Sequence, residues 1–181
     1  NGTITSDDRQ VIATPEPKFF GGWTNTFTYK NLSLSFLMQF SCGGEAVYSN
    51  LGEEISGVLG QSVGRELYGN TWTPERTDAK YARLVAGTMS YNYMANDRFV
   101  FDTSYLRMKN ITLSYSLPKA WINKLYLSNA SLFVTATNLF TITQWPGLDP
   151  ETVATGITSM GTNNDPYPLS RSFSLGVKLQ F

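Results

Sequence analysis

The residues Gly60-Gln-Ser-Val-Gly64 match the G-x-S-x-G pattern that presents a nucleophilic serine on a sharp turn. Such a serine needs a neighbouring base to take its proton, and histidine normally serves in that role. The sequence contains no histidine, and no strand-like segment precedes the motif. Catalysis by Ser62 is therefore not expected, and the chain is predicted not to be an enzyme.

Other chemistry-bearing side chains are equally isolated. The adjacent carboxylates Asp7-Asp8 and Glu53-Glu54 are predicted to be solvated loop charges, because neighbours in sequence rarely converge on one bond. Cys42 is the single cysteine and cannot form an internal disulfide, and without histidine no zinc or haem ligand set is available. We therefore expect no catalytic, cofactor-binding or metal site.

The charge balance argues against a nucleic-acid partner. Fourteen basic residues offset fourteen acidic ones, and no basic run occurs. Proteins that bind nucleic acids normally carry a basic patch for the phosphates.

The overall composition favours β structure. Charged residues make up 15% of the 181 residues, below the roughly one quarter usual in soluble globular proteins. Aromatic residues reach 14%, and hydroxyl-bearing residues are frequent. No apolar run approaches the roughly 18 residues of a membrane-spanning helix. This composition suits strands with one apolar face and one mildly polar face.

Period-two alternation predicts five strands. Their approximate bounds are 19–30, 32–41, 105–117, 130–140 and 171–181. The second strand is the cleanest, because leucine, phenylalanine and methionine at even positions oppose serine and glutamine at odd positions, with Leu37 as the exception.

Two of these strands leave a question open. In the third, Arg107 and Lys109 have the same parity as Ile111, so either a β-bulge shifts the register or this half lies outside the apolar environment. In the fourth, Phe133 alternates with Leu132 and Val134, and the buried face is not decided by the pattern.

The connections alternate between short and long. A tight turn at Lys30-Asn31 is followed by a stretch of about sixty residues, against the usual four to six or so. That stretch contains a possible helix from Glu45 to about Leu67. The link 118–129 is short, with a predicted helical turn around Trp121 to Leu125, and the loop 141–170 is long again.

Short turns at one end and long loops at the other are typical of transmembrane β-barrels, which have short periplasmic turns and long outer loops. A soluble β-sandwich also alternates, but the loop asymmetry and the terminal Phe181 favour the membrane. Five strands cannot close a barrel, since about eight are needed. The chain is therefore expected to be part of a larger barrel.

Five motifs in fixed order carry a family resemblance. They are DRQVIATPEPKFFGGWTNTFTYK at 8–30, WTPE at 72–75, SYLRMKNITLSYSLP at 104–118, VTATNLFT at 134–141, and PYP at 166–168 followed by the terminal strand. Together they resemble the late-barrel region of SusC/RagA-type TonB-linked outer-membrane transporters.

The resemblance implies an all-β fold, an antiparallel transmembrane β-barrel of about 22 strands, of which this chain would supply the last five. It implies import of oligosaccharides or peptides across the outer membrane of a Bacteroidetes-type bacterium. The implied partners are a SusD-like surface lipoprotein, outer-membrane lipid, the barrel-assembly machinery and TonB, which would act through an N-terminal plug that this chain lacks. The alternative from the residues alone is a soluble, secreted β-sandwich carbohydrate-binding module.

The same resemblance places several aromatic residues. Candidate outer-loop contacts to a ligand or partner are Trp72, Tyr91, Tyr93, Trp145 and Tyr167. Their rings could stack on sugars, or could instead pack the loops, seat the lipoprotein or form an outer aromatic belt. Tyr29, Trp121 and Tyr126 suit the inner belt, and Phe181 matches the terminal aromatic cue read by the barrel-assembly machinery.

Overall fold

A computed structural model describes residues 6–48, 65–83, 97–153, 162–163 and 167–181. The chain divides into two compact units. The unit that we call the sheet unit comprises Pro17–Gly43, Ser104–Gln144 and Pro168–Phe181. The unit that we call the loop unit comprises Asn1–Glu16, Gly44–Thr103 and Trp145–Tyr167.

The described residues form nine strands. In chain order these are β1 (Phe19–Tyr29), β2 (Leu32–Cys42), β3 (Glu45–Tyr48), β4 (Val100–Asp102), β5 (Tyr105–Ser116), β6 (Asn129–Thr137), β7 (Thr141–Thr143), β8 (Thr162–Asn163) and β9 (Ser172–Gln180). The main sheet has the order β1-β2-β5-β6-β9 with every pair antiparallel, and β7 pairs with β5 beyond the end of β6.

Each of the five alternating segments contains one strand of the main sheet, with small shifts at the ends. Lys30 belongs to the turn rather than to β1 and has a φ of 52°. The fourth strand ends at Thr137 and not at 140, because Asn138 adopts a φ of 49° and redirects the chain. Pairing with β5 then resumes through β7.

Cross-strand register defines two faces, because directly paired residues point to the same side of a sheet. The apolar face carries the rows Trp23, Phe27, Leu34, Phe36, Ile111, Leu113, Leu132, Val134, Ala136, Phe173, Leu175 and Val177, among others. The polar face carries mainly Thr, Ser, Asn and Gln. The register also decides the open question about β6, since Leu132 and Val134 lie on the apolar face and Phe133 lies on the polar face.

A β-bulge in β5 explains the parity break in that strand. Leu37 pairs with Asn110 and Met38 pairs with Met108, so Lys109 is an extra residue without a counterpart on β2. The shift brings Met108 onto the apolar face and Arg107 onto the polar face, opposite Gln39. Of the two alternatives from sequence, the bulge is confirmed.

The apolar face is uncovered, as expected for a barrel segment. Leu175 is 80% exposed, Phe173 is 68% exposed and Phe27 is 57% exposed. In a β-sandwich these rows would meet a second sheet and be buried, so the sandwich alternative is wrong. Among the described residues β1 pairs only with β2, and β9 pairs only with β6, so the sheet is open at both edges.

The loop unit has a small sheet of its own. Strand β3 pairs antiparallel with β4 and parallel with β8. Its packing centres are two clusters. Leu67 and Phe99 form one with Val47, Tyr81 and Ala82, while Ala46, Tyr48 and Trp145 form the other with Phe101 and Val153.

The predicted helix from Glu45 to about Leu67 is wrong at its start. Residues Glu45–Tyr48 form β3, in which Ala46 and Tyr48 are buried and Glu45 is exposed, so this stretch has a strand period. At the other end Arg65–Leu67 is a single 3-10 turn. Residues 49–64 lie outside the described residues.

The link between β5 and β6 contains the helical turn that the sequence predicts. Helix α1 (Lys119–Ile122) begins directly after Pro118 and continues into a 3-10 turn at Asn123–Leu125. Ile122 anchors the link, since only 3% of its surface is exposed. Within the described ranges, no helix has the length and apolar character to cross a bilayer.

Candidate functional site: two faces, a rim and loop aromatics

The apolar face presents an uncharged and mainly hydrocarbon and aromatic surface, in which Asn25 is a polar exception. Trp23 packs edge-on against Phe36 with ring centroids 5.6 Å apart, and Phe27 lies 6.2 Å from the same ring. Phe40 covers Gly21, where an added Cβ would lie 3.1 Å from the ring. None of the strand residues on this face is charged. Such a surface can contact acyl chains without burying a charge.

The polar face is lined by cross-strand hydroxyl pairs. Thr26 Oγ1 donates to Ser35 Oγ at 3.1 Å, and the hydroxyls of Thr112 and Thr135 are 2.9 Å apart. A further pair joins Thr137 to Ser172. These groups satisfy one another and can also bind water, so this face suits a hydrated lumen.

Arg107 lies on the polar face within a small polar cluster. Its guanidinium carbon is 5.9 Å from the centroid of the Tyr105 ring, and Gln39 Nε2 donates to the Tyr105 hydroxyl at 3.0 Å. Only 3% of Arg107 is exposed. In the sequence, Arg107 stood out only because it has the same parity as the apolar Ile111. The bulge in β5 explains that parity.

Charge is divided unequally between the two units. The sheet unit contains eight basic residues and no acidic residue, while the loop unit contains six basic residues and all fourteen acidic ones. The net charge of zero conceals this separation, and we did not anticipate it from the sequence. The sheet unit therefore offers cations and neutral hydrogen-bonding groups but no carboxylate side chains.

The short connections of the sheet unit form one rim, which we call the short-turn rim and define as residues 30–31, 117–128 and 181. Asn31 ties the β1–β2 turn to the end of β5, because its Nδ2 donates to Ser116 O and its carbonyl accepts from Ser116 N, both at 2.8 Å. The aromatic side chains at this end are exposed: Tyr29 72%, Trp121 62%, Tyr126 93% and Phe181 90%.

A pocket of about 740 Å³ opens at this rim. It is lined by Lys30, Asn31, Ser116, Lys119, Asn129 and Gln180, among others. Two lysines thus line one space together with polar and apolar residues, and the unit holds no acidic side chain that would neutralise them.

In the loop unit, Trp72 is held on a compact frame. Its backbone N–H donates to Tyr81 O at 2.8 Å, and Tyr81 N–H donates back to Asn70 O at 3.0 Å. Arg76 Nη2 donates to Asn70 Oδ1 at 3.2 Å. The Trp72 side chain remains 36% exposed and the neighbouring Tyr68 is 92% exposed. Tyr68 is an exposed ring that the sequence analysis missed.

Trp145 requires a correction. Only 5% of it is exposed, and its ring packs edge-on against Tyr48 at 5.7 Å and Phe101 at 6.3 Å. An indole enclosed by two other rings belongs to a packing core, so the expected ligand contact at Trp145 is wrong.

The other candidate residues are either exposed or lie outside the described residues. Tyr167 is 89% exposed. Tyr91, Tyr93, Ser62 and the Glu53-Glu54 pair lie outside the described residues. Asp7 and Asp8 are exposed in a 3-10 turn. Among the residues that the structure describes, no three histidine, cysteine or acidic side chains converge on a metal site.

Comparison with known proteins finds sequence relatives and solved structures that this chain matches over its whole length. No family model matches the chain. TonB-dependent receptor P3 of Formosa agariphila is 32% identical over 187 residues, covering 100% of this chain and 18% of the relative. TonB-dependent receptor SusC of Bacteroides thetaiotaomicron is 32% identical over 183 residues, covering 100% and 17%. The RagAB peptide importer in its open-open state superposes with a TM-score of 0.79 at 22% identity, covering 100% of this chain and 19% of that one.

The chain corresponds to a barrel segment of SusC/RagA-type TonB-dependent receptors. It spans less than a fifth of the length of these relatives. For this SusC/RagA-type segment, the sheet unit supplies the barrel strands, with an apolar face and a hydroxyl-rich face. Of the loop aromatics named from sequence, Trp72 and Tyr167 are exposed and Trp145 is not.

Proposed function

We propose that this segment forms the C-terminal strands of a TonB-dependent importer in the outer membrane of a Bacteroidetes-type bacterium. The observation that carries the proposal is the uncovered and uncharged apolar face, backed by a hydroxyl-rich face on the same strands. A strand sheet with these two faces suits a wall between lipid and a water-filled or plugged lumen.

The proposal fixes an orientation. Short turns of bacterial barrels face the periplasm and long loops face outside. The short-turn rim, with Lys30 and Phe181, would then lie on the periplasmic side. The loop unit, with Trp72 and Tyr167, would belong to the outer side.

The proposed activity is uptake of oligosaccharides or peptides together with a SusD-like surface lipoprotein. Energy would come through TonB acting on an N-terminal plug that lies outside this sequence. Support comes from the receptor names of the relatives and from the likeness to the RagAB peptide importer. Exposed rings such as Trp72 and Tyr167 are proposed contacts for the ligand or the lipoprotein.

Labelling of single cysteines tests the orientation in the full-length receptor. In a Cys42→Ser background, Tyr68→Cys should react with a membrane-impermeant maleimide in intact cells. Lys124→Cys, an exposed position on the short-turn rim, should react only after the outer membrane is permeabilised. The opposite pattern would refute the orientation, and recovery of the protein from the medium would favour a secreted binding module.

Uptake assays test the activity itself. Deleting the gene for the full receptor should abolish uptake of a labelled oligosaccharide or a labelled peptide, and dissipating the proton gradient should have the same effect. Uptake that survives both treatments would contradict the proposed function.

A further inference from the structure

The basic residues of the sheet unit include a pair that share one pocket. Lys30 comes from the β1–β2 turn and Lys119 from the start of α1, so two separate connections supply the two ammonium groups. The arrangement concentrates positive charge at one place on the rim.

The remaining lining of this pocket carries no charged side chain and is part polar and part apolar, with Leu117, Pro118 and Ile122 as its apolar members. Ser116 contributes a hydroxyl, and Asn129 and Gln180 contribute amides, each at the end of a strand. The hydrogen bonds between Asn31 and Ser116 hold the turn against the end of β5, so the walls bearing Lys30 and Ser116 keep a fixed spacing. Ser128 N and Oγ both donate to Gln180 O, which fixes the opposite wall.

The surroundings favour a multiply charged anion over other ligands. The sheet unit has no acidic side chain, so a cation would find no carboxylate side chain there to offset the two lysines. Tetrahedral phosphate oxygens accept several charge-assisted hydrogen bonds at once, and lysine is a common phosphate ligand. A sugar without charge could not form an ion pair with either lysine.

We propose that the pocket lined by Lys30 and Lys119 binds a phosphate group. The group can come from an anionic phospholipid headgroup or from a free phosphate. The phospholipid source rests on the proposed function, because the exposed Tyr29 and Trp121 would then lie in the interfacial layer where headgroups are found. The free-phosphate source does not depend on it.

The test uses the full-length receptor, purified in detergent and shown to be folded by its heat-modifiable migration in electrophoresis. In one arm, native mass spectrometry measures retention of phosphatidylglycerol against phosphatidylcholine. In the other arm, isothermal titration calorimetry measures binding of inorganic phosphate. Lys30→Gln/Lys119→Gln removes both pocket ammonium groups. Lys124→Gln/Lys178→Gln removes the same charge from the same end of the sheet, outside the pocket lining.

We expect the pocket double variant to lose about 25-fold in affinity, since each lysine near a lipid phosphate contributes about fivefold, while the control variant changes little. Retained phosphatidylglycerol that inorganic phosphate does not displace assigns the lipid source. Binding of inorganic phosphate without lipid assigns the free source. Equal losses in the two double variants, or no binding in either arm, would overturn the proposal. The test measures folding separately and does not measure uptake. A negative binding result would therefore contradict the phosphate site without contradicting the proposed import function.

Discussion

The ring of Phe133 lies across the backbone of Gly176 on the polar face, where the two residues are direct partners on β6 and β9. A Cβ added at Gly176 would come within 2.8 Å of Phe133 Cε1 and Cε2. The glycine is therefore required by its neighbour and not by its own backbone conformation. This pairing of an aromatic residue with a cross-strand glycine fixes the register of β9 on β6.

Gly176→Ala in the full receptor should destabilise the barrel by about 1–3 kcal/mol, the usual cost of overpacking. Urea unfolding of the protein in lipid vesicles measures the effect. Phe133→Ala combined with Gly176→Ala should recover part of the loss, because the smaller side chain frees the space. Additive losses in the double variant would contradict the steric explanation.

Leu175→Arg should prevent stable barrel assembly, because an arginine on the lipid face near the bilayer midplane costs about 2–4 kcal/mol. Ser174→Arg is the matched control, since Ser174 is the neighbour of Leu175 in β9 and faces the polar side. The measured quantity is the fraction of receptor in the outer membrane that shows heat-modifiable migration. Similar behaviour of the two variants would argue against lipid contact on the apolar face.

Deletion of Lys109 should preserve assembly, as should Lys109→Ala. Removing the extra residue makes Met108 and Asn110 neighbours in β5, and both keep their present partners on β2. Arg107 therefore stays on the polar side and Met108 on the apolar side. Assembly assays of both variants check this expectation, and loss of assembly in the deletion variant alone would show that the bulge itself is required.

Trp145→Ala should affect the stability of the loop unit, whereas Trp72→Ala should affect binding. Loss of the buried Trp145 should destabilise the loop unit by about 3–5 kcal/mol, as for other buried tryptophans, and increase proteolytic cleavage of the long loops. Loss of the exposed Trp72 should leave proteolysis unchanged and weaken binding of ligand or lipoprotein by about threefold to tenfold. Limited proteolysis and a binding assay on the same samples separate the two roles.

Phe181→Ala should reduce the rate at which the receptor reaches the outer membrane, while leaving the unfolding midpoint of the assembled protein unchanged. The ring is 90% exposed and follows the end of β9, so few contacts depend on it. Leu179→Ala, two residues earlier and on the same face, provides the control. A change in the unfolding midpoint without slower assembly would show a structural role instead of a recognition signal.

The strands could be predicted because alternation reports directly on a two-faced environment. Leu32 to Cys42 shows this most clearly, and its pairing with β1 follows from the short turn at Lys30-Asn31. The bulge at Lys109 appeared in the sequence only as two alternatives, since parity alone does not distinguish a register shift from a change of surroundings. The cross-strand partners removed that ambiguity.

The loop unit could not be predicted in the same way. The short strand β3 has only four residues, too few for a period to be distinguished from helical spacing, and its partners β4 and β8 lie far away in sequence. Trp145 resembled an exposed loop aromatic because its burial depends on Tyr48 and Phe101, which are also distant in the chain. Nonlocal packing of this kind leaves no local signature.

The absence of acidic side chains from the sheet unit has a consequence for its behaviour in acid. This unit has neither carboxyl nor imidazole side chains, so lowering the pH from neutrality to about 3 protonates no side chain within it. Acid denaturation is mostly the protonation of carboxylates whose pKa is lowered in the native state, or of histidines kept neutral by burial. Side-chain titration within these strands should therefore contribute nothing to acid sensitivity across that range, and any contribution from side-chain carboxylates should originate in the loop unit.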